Sequence, residues 1–224
     1  MTKTTTRNRT SAAQRGTKTS KSAARPKKIA TPPRRTASTK RAAGAIVVSA
    51  PTRDAPRWTE TLSDGTRIII RPIHKEDAAI ERAFIKRLSP ESRRLRFLGQ
   101  MSEPSEELIR LLTDIDYRRD MAFVALVHRD SEKKEIGVAR YGTSKDGKTC
   151  ECAVTVADEW RNRGLGSLLM RHLIEVARSR GVRSMISLDS ADNLAMRDLA
   201  KFMGFRRKRD PKDPTQVLHT LKLQ

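Results

Sequence analysis

Apolar residues fall into regular patterns only after residue 57; before that point they are few and follow no period. Alternating apolar and polar positions predict strands at 58–62 and 67–72, joined by a tight turn at Asp64-Gly65. Residues 75–88 carry a helical pattern, and Ser89-Pro90-Glu91 supplies a Ser cap and a Pro start for a short second helix. Ser105-Glu106-Glu107 opens a third, with Leu108, Leu111 and Leu112 expected on its inner face. Segments 121–128, 135–143 and 149–156 read as strands, the last two connected by the turn Asp146-Gly147. A longer helix starts at Leu165. There Leu165, Leu168, Leu169, Leu173 and Val176 recur on one face, and Gly181 stands where a helix should stop. A short apolar strand at 184–188, a helix over 194–203 and strands at 205–209 and 217–223 complete the series. The expected fold is α/β (α+β): a mixed, mostly antiparallel sheet with helices on both faces.

Charge divides the chain. The 224 residues carry a net +21, and residues 1–53 hold 14 Lys or Arg with no Asp or Glu, leaving about +7 for the remainder. Residues 1–55, rich in Thr, Ser, Ala and Pro, are expected to form a disordered basic tail, because they bury too little apolar surface to offset their ordering entropy. Residues 56–224 are expected to form one domain, long enough to bury roughly 70% of its extended-chain surface. A tail of this kind suits non-specific nucleic acid binding through residues 1–53, which would weaken steeply with salt. No aromatic residue precedes Trp58, so stacking on single strands is not expected. A leader that only aids solubility is the plain alternative.

No apolar run approaches the roughly 20 residues that span a bilayer, so no membrane partner is expected. The only cysteines, Cys150 and Cys152, lie two apart on one strand, which is poor disulfide geometry, and no His is near enough in sequence to suggest a metal. Both read as reduced packing residues of a cytoplasmic protein that its tail could draw to the nucleoid.

The chemistry lies at residues 154–167. A β-branched strand runs into a polar connection, then Arg161-Asn162-Arg163-Gly164-Leu165-Gly166, and then the long helix. A helix N-terminus offers unpaired N–H groups and a positive dipole end, and glycines admit close backbone approach, so the stretch suits a diphosphate. It is not G-x-x-x-x-G-K-[ST], which excludes a nucleoside triphosphate loop as written, and it is not the G-x-G-x-x-G of a nicotinamide site.

The R-x-x-G-x-G pattern of 161–166 resembles the acetyl-CoA pyrophosphate loop of the GNAT superfamily of N-acetyltransferases. Downstream, Asn193 opening a helix and Gly204-Phe205 closing it match the second half of that cofactor region. Segments 88–97, 115–122 and 149–156 look like the acetyltransferase domain of bacterial Pat-type protein lysine acetyltransferases, and the resemblance spans about residues 58–223. It implies the GNAT fold, in which the sheet is splayed to admit the cofactor. It also implies acetyl-CoA as cosubstrate, no metal, and a protein lysine as acceptor.

Residue by residue, the resemblance makes Glu151 the general base, acting through water, with a pKa expected to be raised by the apolar strand around it. The plain alternative is a surface glutamate. The backbone groups of Val154 and Val156 would pair with pantetheine amides. Arg163, Gly164, Gly166 and Ser167 would surround the diphosphate, with Arg161 assisting by charge. Asn193 resembles a residue that contacts pantetheine, a role compatible with capping the helix. The tyrosine that protonates the leaving thiolate in many members is replaced by Ala200, so no general acid is assigned. Rival readings are acetylation of a small amine or a protein N-terminus, a tail acetylated in cis, and a nucleic-acid-associated CoA-binding protein. The cluster Arg206-Arg207-Lys208-Arg209 reads as a solvated strand edge.

Overall fold

The computed structural model describes residues 56–129, 132–210 and 213–223; the basic segment 1–55 lies outside them. Strands β1 (Trp58–Thr61) and β2 (Arg67–Pro72) precede three helices, α1 (Ala78–Arg87), α2 (Pro90–Phe97) and α3 (Glu106–Thr113). Strands β3 (Asp120–Arg129), β4 (Glu132–Thr143) and β5 (Thr149–Val156) lead to α4 (Leu165–Ser179), β6 (Ser184–Ser190) and α5 (Leu194–Phe202). Two last strands, β7 (Arg206–Arg209) and β8 (Gln216–Lys222), end the chain. They form one sheet in the order β1-β2-β3-β4-β5-β6-β8-β7. Every neighbouring pair is antiparallel except β5 and β6.

Local signals act where the sequence places them. Ser89 and Ser105 cap α2 and α3 by accepting from the N–H groups of Ser92 and Leu108. Gly181 takes φ +79° just past α4, a conformation open to glycine without a Cβ penalty. The run Arg206–Arg209 is an exposed edge strand, whose charge discourages pairing with another chain. One expectation fails: Leu111 of α3 is 49% exposed, and Ile109 takes the inner position with Leu112. Leu108, Ile109, Leu112 and Thr113 make the inward stripe, and Leu111 falls outside its arc.

The two faces of the sheet carry different helices. A Cβ on Gly137 would meet Leu165 and Leu169 of α4, so Gly137, Ala139 and Tyr141 face α4. Arg140 points the other way, donating to Glu81 of α1 (3.3 Å) and to the Leu112 carbonyl of α3 (3.0 Å). A bulge at Ile136 breaks the β4 register: Leu126 pairs with Glu135 while Ala125 pairs with Gly137. That extra residue puts Glu135 on the α1 face with Val138 and Arg140 instead of on the α4 face.

Glu135 is thereby buried beside Glu81, which is also buried. Burial, and then the neighbouring Glu81, push the Glu135 carboxyl well above the usual carboxylate range, with Arg140 partly opposing. Both Glu135 oxygens and Glu81 Oε2 are buried without a hydrogen-bond partner among the described residues. A carboxyl with a raised folded pKa holds more protons folded than unfolded, so stability falls as pH rises above about 4.5. Glu135→Gln supplies a permanent donor and removes that slope. Urea midpoints of variant and wild type should lie close together near pH 4 and separate in the variant's favour by pH 8. Each pK unit of elevation is worth about 1.4 kcal/mol.

Candidate active site

The sheet parts next to β5. β4 pairs with β5 along seven residues, Cys150 to Val156. β6 pairs with it only from Thr149↔Ser184 to Glu151↔Ile186, although β6 continues to Ser190. Beyond Glu151 the β6 side of β5 therefore has no ladder partner. The Ala157 N–H donates to Ile136 of β4, so by strand alternation the backbone groups of Val154 and Val156 point into the gap.

The gap ends at the start of α4. Asn162 (φ +59°) and Gly164 (φ +83°) both adopt the left-handed region, curling 161–164 into a concave turn. The first helical bond runs from the Leu168 N–H to the Gly164 carbonyl, leaving the N–H groups of Leu165, Gly166 and Ser167 without an intrahelical acceptor. Gly166 permits the close approach of α5, since a Cβ there would lie 3.3 Å from Leu199 Cδ2. Backbone N–H groups, a helix dipole and missing side chains together fit a diphosphate.

The arginines of the turn are engaged elsewhere. Arg163 donates to Asp64 (2.6 Å) and to the Glu159 carbonyl (2.9 Å), and it stacks over Trp160. Arg161 donates to Ser92 Oγ (2.8 Å) and pairs with Asp158 (3.2 Å). Asp158 is the centre of this arrangement: the Ser89 N–H (2.8 Å) and the Ser92 hydroxyl (2.6 Å) both donate to it, tying the loop to the start of α2. Burial pushes its carboxyl up, but these donors and Arg161 bring it below the usual carboxylate range. Its stabilising effect is therefore present at pH 7 and lost as pH falls below 3.8 through the lowered folded value. Asp158→Ala should cost about 1–2 kcal/mol at pH 7 and flatten that acid limb, checked by thermal unfolding from pH 3 to 7.

Glu151 sits at the apex of the gap, exposed, on the strand face opposite the buried Cys150 and Cys152. The apolar enclosure expected around it is not provided by β5. Its face is that of Arg140: Glu151 pairs with Gly142, and Arg140 with Ala153. The two thiols are free and inert, with burial pushing Cys150 up to about 12 and Cys152 well above the usual range. Asn193 caps α5 by accepting from the Met196 N–H (3.0 Å). Ala200 is buried. Tyr117 donates its hydroxyl to the Ile73 carbonyl, and Tyr141 lies towards the far end of α4. Among the described residues no cluster of three or more His, Cys, Asp or Glu is placed to hold a metal ion. No helix among them is long and apolar enough to cross a membrane.

Residues 87–205 match the family described as Acetyltransferase (GNAT) family. The chain belongs to the GNAT acetyltransferase family. Members use acetyl-CoA. An acetyltransferase of Pseudomonas aeruginosa is 52% identical over 170 residues, covering 76% of this chain and 91% of its own. An L-methionine sulfoximine/L-methionine sulfone acetyltransferase of the same species is 33% identical over 94 residues, 40% of this chain and 55% of that protein. Acetyltransferase Pat of Mycolicibacterium smegmatis is 31% identical over 110 residues, 49% of this chain and 32% of that protein. Among solved structures, the GNAT domain of S. lividans PAT superimposes with a TM-score of 0.68 at 24% identity, covering 74% of this chain and 96% of that one.

Sequence reasoning picked out the turn and its glycines, and the resemblance pointed to Glu151, but neither gave a part to Asn162 or Asp158. Asparagine tolerates the left-handed region better than most residues, so Asn162 was findable. Asp158 acts on serines 66 and 69 positions away, which no local pattern reveals.

Proposed function

We propose that residues 56–224 transfer acetyl from acetyl-CoA to the side-chain amine of a protein lysine, by direct attack with Glu151 as general base. The observation that carries this reading is an exposed carboxylate at the apex of the strand gap, where the parted strands would bring a thioester. When bound, acetyl-CoA supplies the activated acetyl group. The N–H groups of Gly164, Leu165, Gly166 and Ser167 hold its diphosphate, together with the backbone of Arg163. Arg161, held by Asp158 and Ser92, adds positive charge at the turn. Val154 and Val156 pair with the pantetheine amides as a neighbouring strand would, and the open Nδ2 of Asn193 reaches the same arm. Glu151 takes a proton from the incoming ammonium, directly or through one water, so that the neutral amine can attack. A thiolate with a pKa near 8.5, by analogy with cysteine, leaves without a dedicated acid, which accommodates Ala200.

A protein acceptor is favoured over a small amine by the openness of the site. Beside the gap, an open groove of about 550 Å³ runs between the end of α2 and the β6–α5 turn, lined by Arg94, Leu98, Gln100, Asp192 and Gln216. A trench of this kind accommodates a chain bearing a side chain, whereas small metabolites are usually enclosed. The test separates a cell lysate by size and offers each fraction labelled acetyl-CoA and the full chain. Label in the protein fraction supports the reading. Label confined to the small-molecule fraction moves the function to metabolite acetylation.

A further inference from the structure

At the opposite end of α4 from the glycine turn, about 22 Å away along 15 residues of helix, the protein has a second polar cavity. Its volume is about 250 Å³, room for several waters, and it lies between the β4–β5 hairpin, the segment before β3 and the end of α4. Arg118, Arg119, Lys145 and Arg180 line it, with Asp146 as the one carboxylate. Asp146 is already engaged, accepting from the Ser144 hydroxyl (2.6 Å) and the Lys148 N–H (3.0 Å).

Two of the cations are anchored by one edge. Arg180 Nη1 donates to the carbonyls of Tyr117 (3.0 Å) and Asp120 (3.3 Å), and Arg119 Nη2 donates to the Ser144 carbonyl. Each keeps further guanidinium N–H groups beyond these anchoring bonds, and those of Arg180 lie beside the Tyr141 hydroxyl. Arg118 and Lys145 make no side-chain bond among them either, and Arg118 is exposed. The Asp120 carboxyl lies near Arg119 and near Tyr141, and burial and then the neighbouring Asp116 push it above its usual range, so it offsets part of the cavity's positive charge.

The independent sign is Tyr141. Its ring is almost wholly buried, at 2% exposure, yet its hydroxyl has no hydrogen-bond partner, and the residue lines this cavity. Arg180 lies close enough to the hydroxyl to oppose the upward push that burial gives it, although no donor and acceptor pair between them is aligned as a hydrogen bond. A buried hydroxyl left without a partner costs about as much as a lost hydrogen bond, so structures seldom keep one without use. Two anchored guanidinium forks, two further cations and a free hydroxyl converging on one cavity match the charge and geometry of a tetrahedral dianion.

We infer that the cavity framed by Tyr141, Arg118, Arg119, Lys145 and Arg180 is a binding site for a small phosphate or phosphate monoester, separate from the acetyl-CoA site. The ligand's oxygens accept from the Tyr141 hydroxyl and the open guanidinium N–H groups, and Lys145 closes the cavity from the hairpin side.

The test is calorimetric titration of the full chain with inorganic phosphate at constant ionic strength, on wild type and three variants. Tyr141→Phe removes only the hydroxyl, Arg118→Ala removes an exposed cation with no structural bond, and Arg206→Ala removes an exposed cation of the β7 edge that does not line the cavity. Wild type should show saturable one-site binding, weakened at least fivefold by Arg118→Ala and severalfold by Tyr141→Phe, and unchanged by Arg206→Ala. No saturable binding would overturn the inference. So would equal weakening by Arg118→Ala and Arg206→Ala, which marks general attraction to a basic protein. If Tyr141→Phe fails to fold, the contrast between the two arginine variants decides.

Discussion

Replacing Glu151 by Gln is expected to lower kcat/KM for acetyl transfer at pH 7 by about a hundred- to ten-thousand-fold while leaving the affinity for acetyl-CoA unchanged. A free lysine with a pKa near 10.4 is neutral in only about 4 molecules in 10,000 at pH 7, a deficit of roughly 4.6 kcal/mol that a base must offset. Glu151 is exposed on β5, and its neighbours on that strand face away, so substitution by an amide of the same shape leaves the fold intact. The defect should also depend on pH. As pH approaches the lysine value the acceptor loses its own proton, and the gap between wild type and variant should narrow. A folding defect would widen or hold it. Rates from pH 6.5 to 9.5, with acetyl-CoA binding measured separately, distinguish the two.

Arg140→Met is expected to lower stability by about 3 kcal/mol, read as a shift in urea midpoint at unchanged m-value. Arg140 is the one cation bonded to the buried Glu81 among the described residues, and Met of similar length removes that bond from the core. Arg96 lies close enough to feel both groups. Burial, and then repulsion from Arg140, lower its pKa to about 10, while Glu81 opposes the shift. It therefore softens the loss without replacing the bond. Adding Glu81→Leu to Arg140→Met should recover most of the stability, because a buried ion pair exchanged whole for apolar groups is close to neutral. A loss under 1 kcal/mol in the single variant would mean that Glu81 is accommodated without its partner.

The readable and unreadable parts of this molecule differ in range. Helix α4 was visible because five aliphatic residues repeat on one face at three- and four-residue spacing, and Gly181 follows its end. The parallel pairing of β5 and β6 and the point where they part rest on contacts across the sheet, and only the family resemblance suggested them. The bulge at Ile136 turns Glu135 inward against strand alternation, so a residue with every mark of a surface charge becomes a buried acid whose carboxyl is pushed well above its usual range. Leu111 shows the same limit on a smaller scale: the inward arc of α3 is set by what packs on it, and it takes Ile109 and Leu112 but leaves Leu111 outside. At the site, Gly164 was legible from type and spacing and Glu151 only through the family resemblance, whereas the Asp158 clasp on α2 joins segments that meet only in the folded chain.

Lysine transfer through Glu151 is tested most directly by peptide mass spectrometry. The full chain, wild type or Glu151→Gln, is incubated with isotope-labelled acetyl-CoA and a cell protein fraction, and the modified atoms are mapped. The expected result is label on the Nζ of defined lysines with wild type and its near disappearance with the variant. Equal lysine labelling by both proteins, or label found only on α-amines, would contradict it.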